Sequence, residues 1–507
     1  MHLLSIISAE LLLVTLTTAT GFLPPALPLP INGSHPHHSN STLLYFDQFI
    51  DHSDHSLGTF RQRFWYNIDH WGGPGSPILF KSPDEAPVEE SGTTSSPRNL
   101  NGLLAKTNKA ALIILEHRYF GESLPFGKNF STPNMRYQTL DNAMQDIIHF
   151  AHSVDLPFDR SGSSKPGKSP WIISGCSYSG ALAAWINVLS PGTFWASHCG
   201  SAVVEAISDL SGYFGQVEKA MPRNCSADIK RVVSYFDRVL DSGSEEERRE
   251  LKKMYNVTAD SSDGDLASTV TNAVSTWQDV QFTKASDSYF FGMCDYVENQ
   301  WPGSNSPVPD ADGVGMERAV KGLGKWVTEI MPTIPHLDDD AQNSWLWFLC
   351  NEPKLRQRRF EWWQIAGPDD GGIVPKAVSR DYYIQQCKKQ FPTRDNVTIG
   401  IDKGRTVEQV NAKTGGWDKV KTTRLLWVNG GLDPWLPATV SSEKRPGGPL
   451  RSTEEAPVWV IPHAAHCNEM NVRNGEANDG ARLVIDGVVR QMKEWVDEFY
   501  KQDGKGV

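Results

Sequence analysis

Ser177, Asp433 and His466 are residues around which an acyl-transfer reaction could be built. Ser177 lies in Trp171-Ile-Ile-Ser-Gly-Cys-Ser-Tyr-Ser-Gly-Ala-Leu-Ala-Ala-Trp185, where an apolar strand-type run passes through small residues into a helix-type run. A serine on such a tight turn projects its hydroxyl from the top of a sheet, the arrangement written G-x-S-x-G. Here Ser179 holds the fifth position and Gly180 follows it, so the strict pattern is broken by another small residue. A serine hydroxyl is a weak nucleophile until a base removes its proton, and that base must itself be oriented by an acid. Asp433 follows the apolar run Arg424–Val428, and His466 follows Val458–Ile461, in the order Ser, Asp, His that this arrangement uses. His463 competes with His466, and an Asp preceding Pro434 is also an ordinary turn former.

The elements that would carry these residues alternate. Pro77–Phe80, Ala111–Leu115 and Trp171–Ser174 read as strands, whereas Leu140–Val154 and Tyr178–Leu189 carry apolar residues at helical spacing. Strand and helix in alternation predict a parallel sheet. The middle of the chain differs. Ser226–Leu240 places Ile229, Val232, Val233, Phe236 and Leu240 on one helical face with Ser226 as its cap, and Glu245–Tyr255 is a charged helix. Residues 205–404 are therefore expected to form a mostly helical cap inserted in an α/β-hydrolase fold. The catalytic domain would then span 45–204 and 405–500, and an amphipathic helix with Val484, Val488, Met492, Trp495 and Phe499 closes it.

Composition narrows the function classes. The 507 residues carry a net charge of −11, which disfavours nucleic acid and anionic membranes as partners. Residues 1–21 read as a signal peptide with an apolar run at Leu11–Leu16, and residues 22–44 as an irregular leader or pro-segment. Sequons at Asn32, Asn40, Asn129, Asn224, Asn256 and Asn396 fit a secreted, extracellular glycoprotein. The seven cysteines are an odd number without C-x-x-C spacing, so disulfides are expected rather than zinc. His35, His37, His38, His52 and His55 lack fixed ligand spacing and read as solvated loop residues, so no metal is expected. There is no phosphate loop, dinucleotide fingerprint or H-E-x-x-H pair, and no cofactor is implied.

Longer segments carry a resemblance. Thr59–Asn67, Trp71–Pro77, Glu116–Ser123, Phe348–Pro353, Thr414–Asp418, Asn429–Trp435 and Arg445–Leu450, together with the serine turn, resemble the proline-specific serine peptidases. That family includes lysosomal Pro-Xaa carboxypeptidase and dipeptidyl peptidase II, and the chain is most similar to its fungal secreted acid prolyl endoproteases. The resemblance implies a Ser177–Asp433–His466 triad and selects His466 over His463. It implies hydrolysis after proline in peptide or protein substrates, and disulfides Cys225–Cys294 and Cys350–Cys387, which leave Cys176, Cys199 and Cys467. It places Trp435, Trp347 and Ala181 at the substrate pocket, Ala181 standing where relatives often carry Met. Glu116, Arg118 and Glu122 match a family motif that a buried ion pair would also explain. The Tyr178 backbone N–H is the expected oxyanion donor. In the loop supplying the second donor, Asp84 replaces the expected Gly. An esterase or lipase of the same fold would need the same triad, and an inactive hydrolase-fold binding protein is a third reading.

Overall fold

Short apolar runs assemble into a single eight-stranded sheet in this computed structural model. It describes residues 41–502 except 90–92, 94, 208, 353–364, 368–371 and 419–421. The expected signal segment 1–21, Asn32 and Asn40 lie outside the described residues. The strands are β1 (Thr42–Phe49), β2 (Thr59–Asn67), β3 (Ile78–Lys81), β4 (Ala111–Leu115), β5 (Trp171–Cys176), β6 (Ala196–Gly200), β7 (Leu425–Gly430) and β8 (Val458–Ile461). Their order is β1-β2-β4-β3-β5-β6-β7-β8. From β4 to β8 all neighbours are parallel, as the alternating pattern requires. The sheet is mixed: at one edge β1 and β2 form an antiparallel hairpin, and β2 pairs antiparallel with β4. β1 begins at Thr42, inside the span 22–44 expected to be irregular.

The parallel strands are apolar because both faces are covered. On one face Ile113, Trp171 and Ile173 pack with the helices Leu140–Ser153 and Tyr178–Leu189. On the other, Leu112, Ile114 and Ile172 meet the helices Leu100–Asn108 and Asp479–Gln502. Between β6 and β7 the described residues hold helices, from Gly212–Ala220 to Val407–Thr414, and no strand. The helix Arg223–Ser242 buries Ile229, Val232, Val233 and Phe236. It starts ahead of the expected cap: Pro222 is its N-cap residue, and a proline side chain has no oxygen with which to accept a capping bond. Disulfides Cys225–Cys294 and Cys350–Cys387 staple pairs of these helices. No described helix is long and apolar enough to cross a membrane.

The Glu116–Ser123 segment is spent on structure. Arg118 is fully buried. It donates to Asp146 at 2.6 Å and to the carbonyls of Ile50, Tyr137 and Phe49, tying the β1–β2 hairpin to the sheet domain. Glu116 accepts from Arg63 at 2.9 Å and from Ser123 at 2.6 Å. His52 completes the cluster by bonding Asp146 at 2.8 Å, and His55 stacks on Phe49. Removing one partner of a buried ion pair strands the other charge, at about 3–5 kcal/mol. Arg118→Met should therefore lower the urea-unfolding free energy by roughly 3 kcal/mol or more. Lys321→Ala, which breaks the exposed pair with Glu317, should leave the unfolding free energy essentially unchanged in the same measurement.

Candidate active site

The serine turn is the most constrained backbone in the site. Ser177 adopts φ 62° and ψ −130°, a left-handed conformation unfavourable for a residue with a Cβ, between the end of β5 and the first turn of Tyr178–Leu189. Close packing demands small neighbours. A Cβ on Gly175 would sit 2.5 Å from the Ser179 backbone, and one on Gly180 would sit 2.6 Å from the Gly200 carbonyl oxygen. The close approach to β6 is thus made by Gly180, one position later than G-x-S-x-G places it. Ser179 braces the turn from within. Its hydroxyl accepts from the Cys176 N–H at 3.0 Å and donates to the Cys176 carbonyl at 2.7 Å. The Ser177 N–H donates to the Gly200 carbonyl at 2.9 Å.

Asp433 and His466 meet at the ends of β7 and β8. Asp433 is fully buried, and its carboxylate accepts from His466 Nδ1 at 2.9 and 3.0 Å and from the Trp435 N–H at 2.8 Å. This fixes the tautomer that leaves Nε2 as the basic nitrogen. Nε2 is buried and has no hydrogen-bond partner among the described residues, so the Ser177 hydroxyl is not bonded to it in this structure. Catalytic hydrogen bonds are often long before substrate binds. His463 is exposed, at φ 60° in a turn, whereas His466 is the histidine on the carboxylate. The loops of Ser177 and His466 are joined covalently: Cys176 is bonded to Cys467 across 291 residues, with Cα atoms 6.0 Å apart. Cys199, on β6, is buried and outside the three disulfides.

Tyr178 is the first residue of its helix, where a backbone N–H has no intrahelical carbonyl to meet. Its side chain is held by His117, whose Nε2 lies 3.0 Å from the hydroxyl. In the loop after β3, Asp84 is paired with Lys81 at 2.7 Å. The adjacent Glu85 is buried, and burial followed by the Asp84 charge pushes its carboxyl up to about 8. Glu469, behind the His466 loop, is likewise raised to about 8, by burial first and then by Asp433.

The expected pocket walls separate. Trp435 is half-buried, its ring 6.3 Å from that of His466 and 5.3 Å from Tyr213, and it donates to Gln278 at 3.1 Å. Ala181 is fully buried in the helix after Ser177. Trp347 does not line a cleft. It is fully buried, donates to the Gln138 carbonyl at 3.2 Å and packs on Phe391, because its position on the helix Asp339–Asn351 turns it into the core. Trp345, two residues earlier, is the half-buried one; it stacks on Phe348 and approaches the Tyr178 ring at 5.5 Å. No pattern in the chain marked Trp277 and Gln278. Their 3₁₀ turn docks on the Asp433 loop, with Trp277 donating to the Leu432 carbonyl at 2.7 Å. A surface cavity of about 290 Å³ lined by Leu156, Pro157, Asp159, Arg160 and Lys165 precedes β5, away from the strand end that bears Ser177.

Among the described sequons, Asn129, Asn256 and Asn396 are exposed and Asn224 is half-buried. Residues 46–486 match the family model described as serine carboxypeptidase S28. The chain is 35% identical to "Serine protease vicPb" of Bipolaris victoriae, covering 91% of this chain and 90% of that protein. "Serine protease vicPa" of the same fungus is 34% identical with the same coverage. A "Probable extracellular serine carboxypeptidase" of Arthroderma benhamiae is 25% identical over 86% of this chain and 63% of its own length. With its mixed sheet, serine turn and helical insertion, the chain belongs to the serine carboxypeptidase S28 family and is a serine-type peptidase of α/β-hydrolase fold.

Proposed function

We propose that Ser177, Asp433 and His466 are the catalytic triad of a secreted peptidase that cleaves on the C-terminal side of proline through an acyl-enzyme, at acid pH. The observation that carries this is the His466 imidazole, held through Nδ1 by buried Asp433 with Nε2 unpaired, on a loop bridged by Cys467–Cys176 to the serine turn. In acylation Nε2 takes the Ser177 proton as the hydroxyl oxygen attacks the scissile carbonyl, and Asp433 stabilises the imidazolium. The imidazolium then protonates the leaving amine, and a water molecule activated by the same nitrogen releases the acid. The Tyr178 N–H faces the developing oxyanion, a contact worth roughly 3–4 kcal/mol for one such donor.

Proline specificity is supported by the resemblance and by the aromatic surroundings. A compact, rigid pyrrolidine ring suits contact with indole faces, and Trp435 stands beside His466. Trp345 and Phe348 cover Tyr178 from the cap. Secretion is supported by the signal-like start, the exposed sequons and three disulfides, which persist in oxidising compartments. The Arthroderma relative is named as extracellular.

Acid operation is supported by the buried carboxyls. Burial first and foremost pushes Glu85 and Glu469 up to about 8, and Glu205 and Glu298 up to about 7. Each is protonated in the folded protein at pH values where the unfolded chain, with an ordinary carboxyl, has already lost its proton. At these four carboxyls the folded state binds more protons, so they lower stability as pH rises from about 4.5 towards 8; they outnumber buried His117 and His198, which burial holds down to about 4 and which act the opposite way below about 6.5.

Thermal melts between pH 4.5 and 8 should show the melting temperature dropping by several degrees as pH rises, with a shallower slope for Glu469→Gln. A flat or rising profile contradicts this. For activity, turnover of a blocked proline amide at mildly acid pH should fall at least ~10³-fold in Ser177→Ala. Equal rates in mutant and wild type remove Ser177 from the mechanism. Comparing blocked with free-ended peptides separates internal cleavage from trimming, and a preference for alanine over proline at the cleaved position would sink the specificity.

A further inference from the structure

The Asp433–His466 and Ser177–His466 halves of the site are secured by different means. Between the Asp433 and His466 loops run two backbone bonds, from Gly431 to Ile461 and from Leu432 to Ala464, each 2.9 Å, besides the carboxylate–imidazole contact. Between the serine turn, residues 175–179, and the histidine loop, residues 463–469, no direct hydrogen bond exists among the described residues. Hydrogen bonding joins the two through Gly200 and Ser201. Ser177 bonds the Gly200 carbonyl, and the Cys467 N–H donates to the Ser201 hydroxyl at 3.1 Å. Among the described residues the direct bond between them is the Cys176–Cys467 disulfide, which joins the residue before Ser177 to the residue after His466. Both attachment points adjoin or occupy unusual backbone: Ser177 at φ 62° and Cys467 at φ 56°.

We propose that the Cys176–Cys467 disulfide is a positioning element for catalysis: it holds the His466 loop against the serine turn so that Nε2 can reach the Ser177 hydroxyl. The inference rests on the triad reading. A misplacement of about 1 Å between reacting groups costs on the order of 10²-fold in rate. With His466 Nε2 unbonded, the triad's own hydrogen bond does not hold the two loops together. The bridge is also the most approachable of the three. Cys176 is half-buried and its partner Cys467 is buried at 9 % exposure, whereas Cys225, Cys350 and Cys387 are at 0 % and Cys294 at 4 %. A dithiol should therefore open it selectively in the folded enzyme, cleaving one S–S bond to two thiols while the reagent is oxidised to its cyclic disulfide.

The test uses the full chain. Wild-type enzyme is treated with dithiothreitol without denaturant, open cysteines are alkylated, and mass spectrometry identifies the bridge reduced. Fluorophosphonate titration counts reactive Ser177. In step with opening of Cys176–Cys467, and with the other bridges intact, kcat should fall about 30- to 100-fold with KM changing less than about threefold. The rate of fluorophosphonate labelling should fall in parallel, and reoxidation of unalkylated enzyme by glutathione disulfide should restore both. Cys176→Ser, Cys467→Ser and the double variant should each lose a similar factor, since any one removes the same tether. A kcat per titrated serine within about threefold of wild type, with the bridge open, overturns the proposal and leaves only a folding staple. So would a bridge that resists the dithiol while all three variants fail to fold. If Ser177→Ala retained activity the triad itself would be wrong; if Ser177→Ala is dead and the open-bridge enzyme is normal, only this inference fails.

Discussion

Ser177 sits at φ 62° and ψ −130°, and the surrounding structure is arranged to hold it there. Such a conformation costs about 1–3 kcal/mol and survives only where packing over-determines it. The Ser177 N–H is tied to Gly200, the Cys176 backbone is bonded on both sides by the Ser179 hydroxyl, and Gly180 lets the following helix come down onto β6. Gly200 is constrained in turn, because a side chain there would run into the Glu469 carboxyl. The turn, β6 and the histidine loop are thus one packed unit, and the hydroxyl is presented at the sheet end as a consequence.

Charge is rationed inside this unit. Asp433 is buried but meets two donors, the His466 Nδ1–H shared between its two oxygens and the Trp435 N–H. Glu469 and Glu85 are buried with less compensation, and the interior favours their neutral forms. Asp433 is thus the carboxyl of the three that is bonded to the His466 ring and the Trp435 backbone. In the loop after β3, Lys81 offsets the charge of Asp84, the residue that stands where the resemblance led to an expected glycine. The stretch between β6 and β7 supplies hydrogen bonds to this unit. Trp277 and Gln278 bond Leu432 and Trp435, so the loop bearing Asp433 is braced from above.

What the sequence determined by itself was the local material. Ala111–Leu115, Val458–Ile461 and Tyr178–Leu189 carry periodicities strong enough that the elements form with the bounds read from them. The order Ser, Asp, His, each after a strand, was legible for the same reason. β6 was not, because Ala-Ser-His-Cys-Gly lacks the β-branched run that marks a buried strand, and the β1–β2 hairpin depends on β4 as a template. Tertiary structure alone decided which of Trp345 and Trp347 faces the site, since a rotation of one helix about its axis exchanges them. It also decided the partner of Cys176. Spacing cannot encode a contact between chain positions 291 residues apart, whose proximity exists only once β5 and β8 are set in the same sheet.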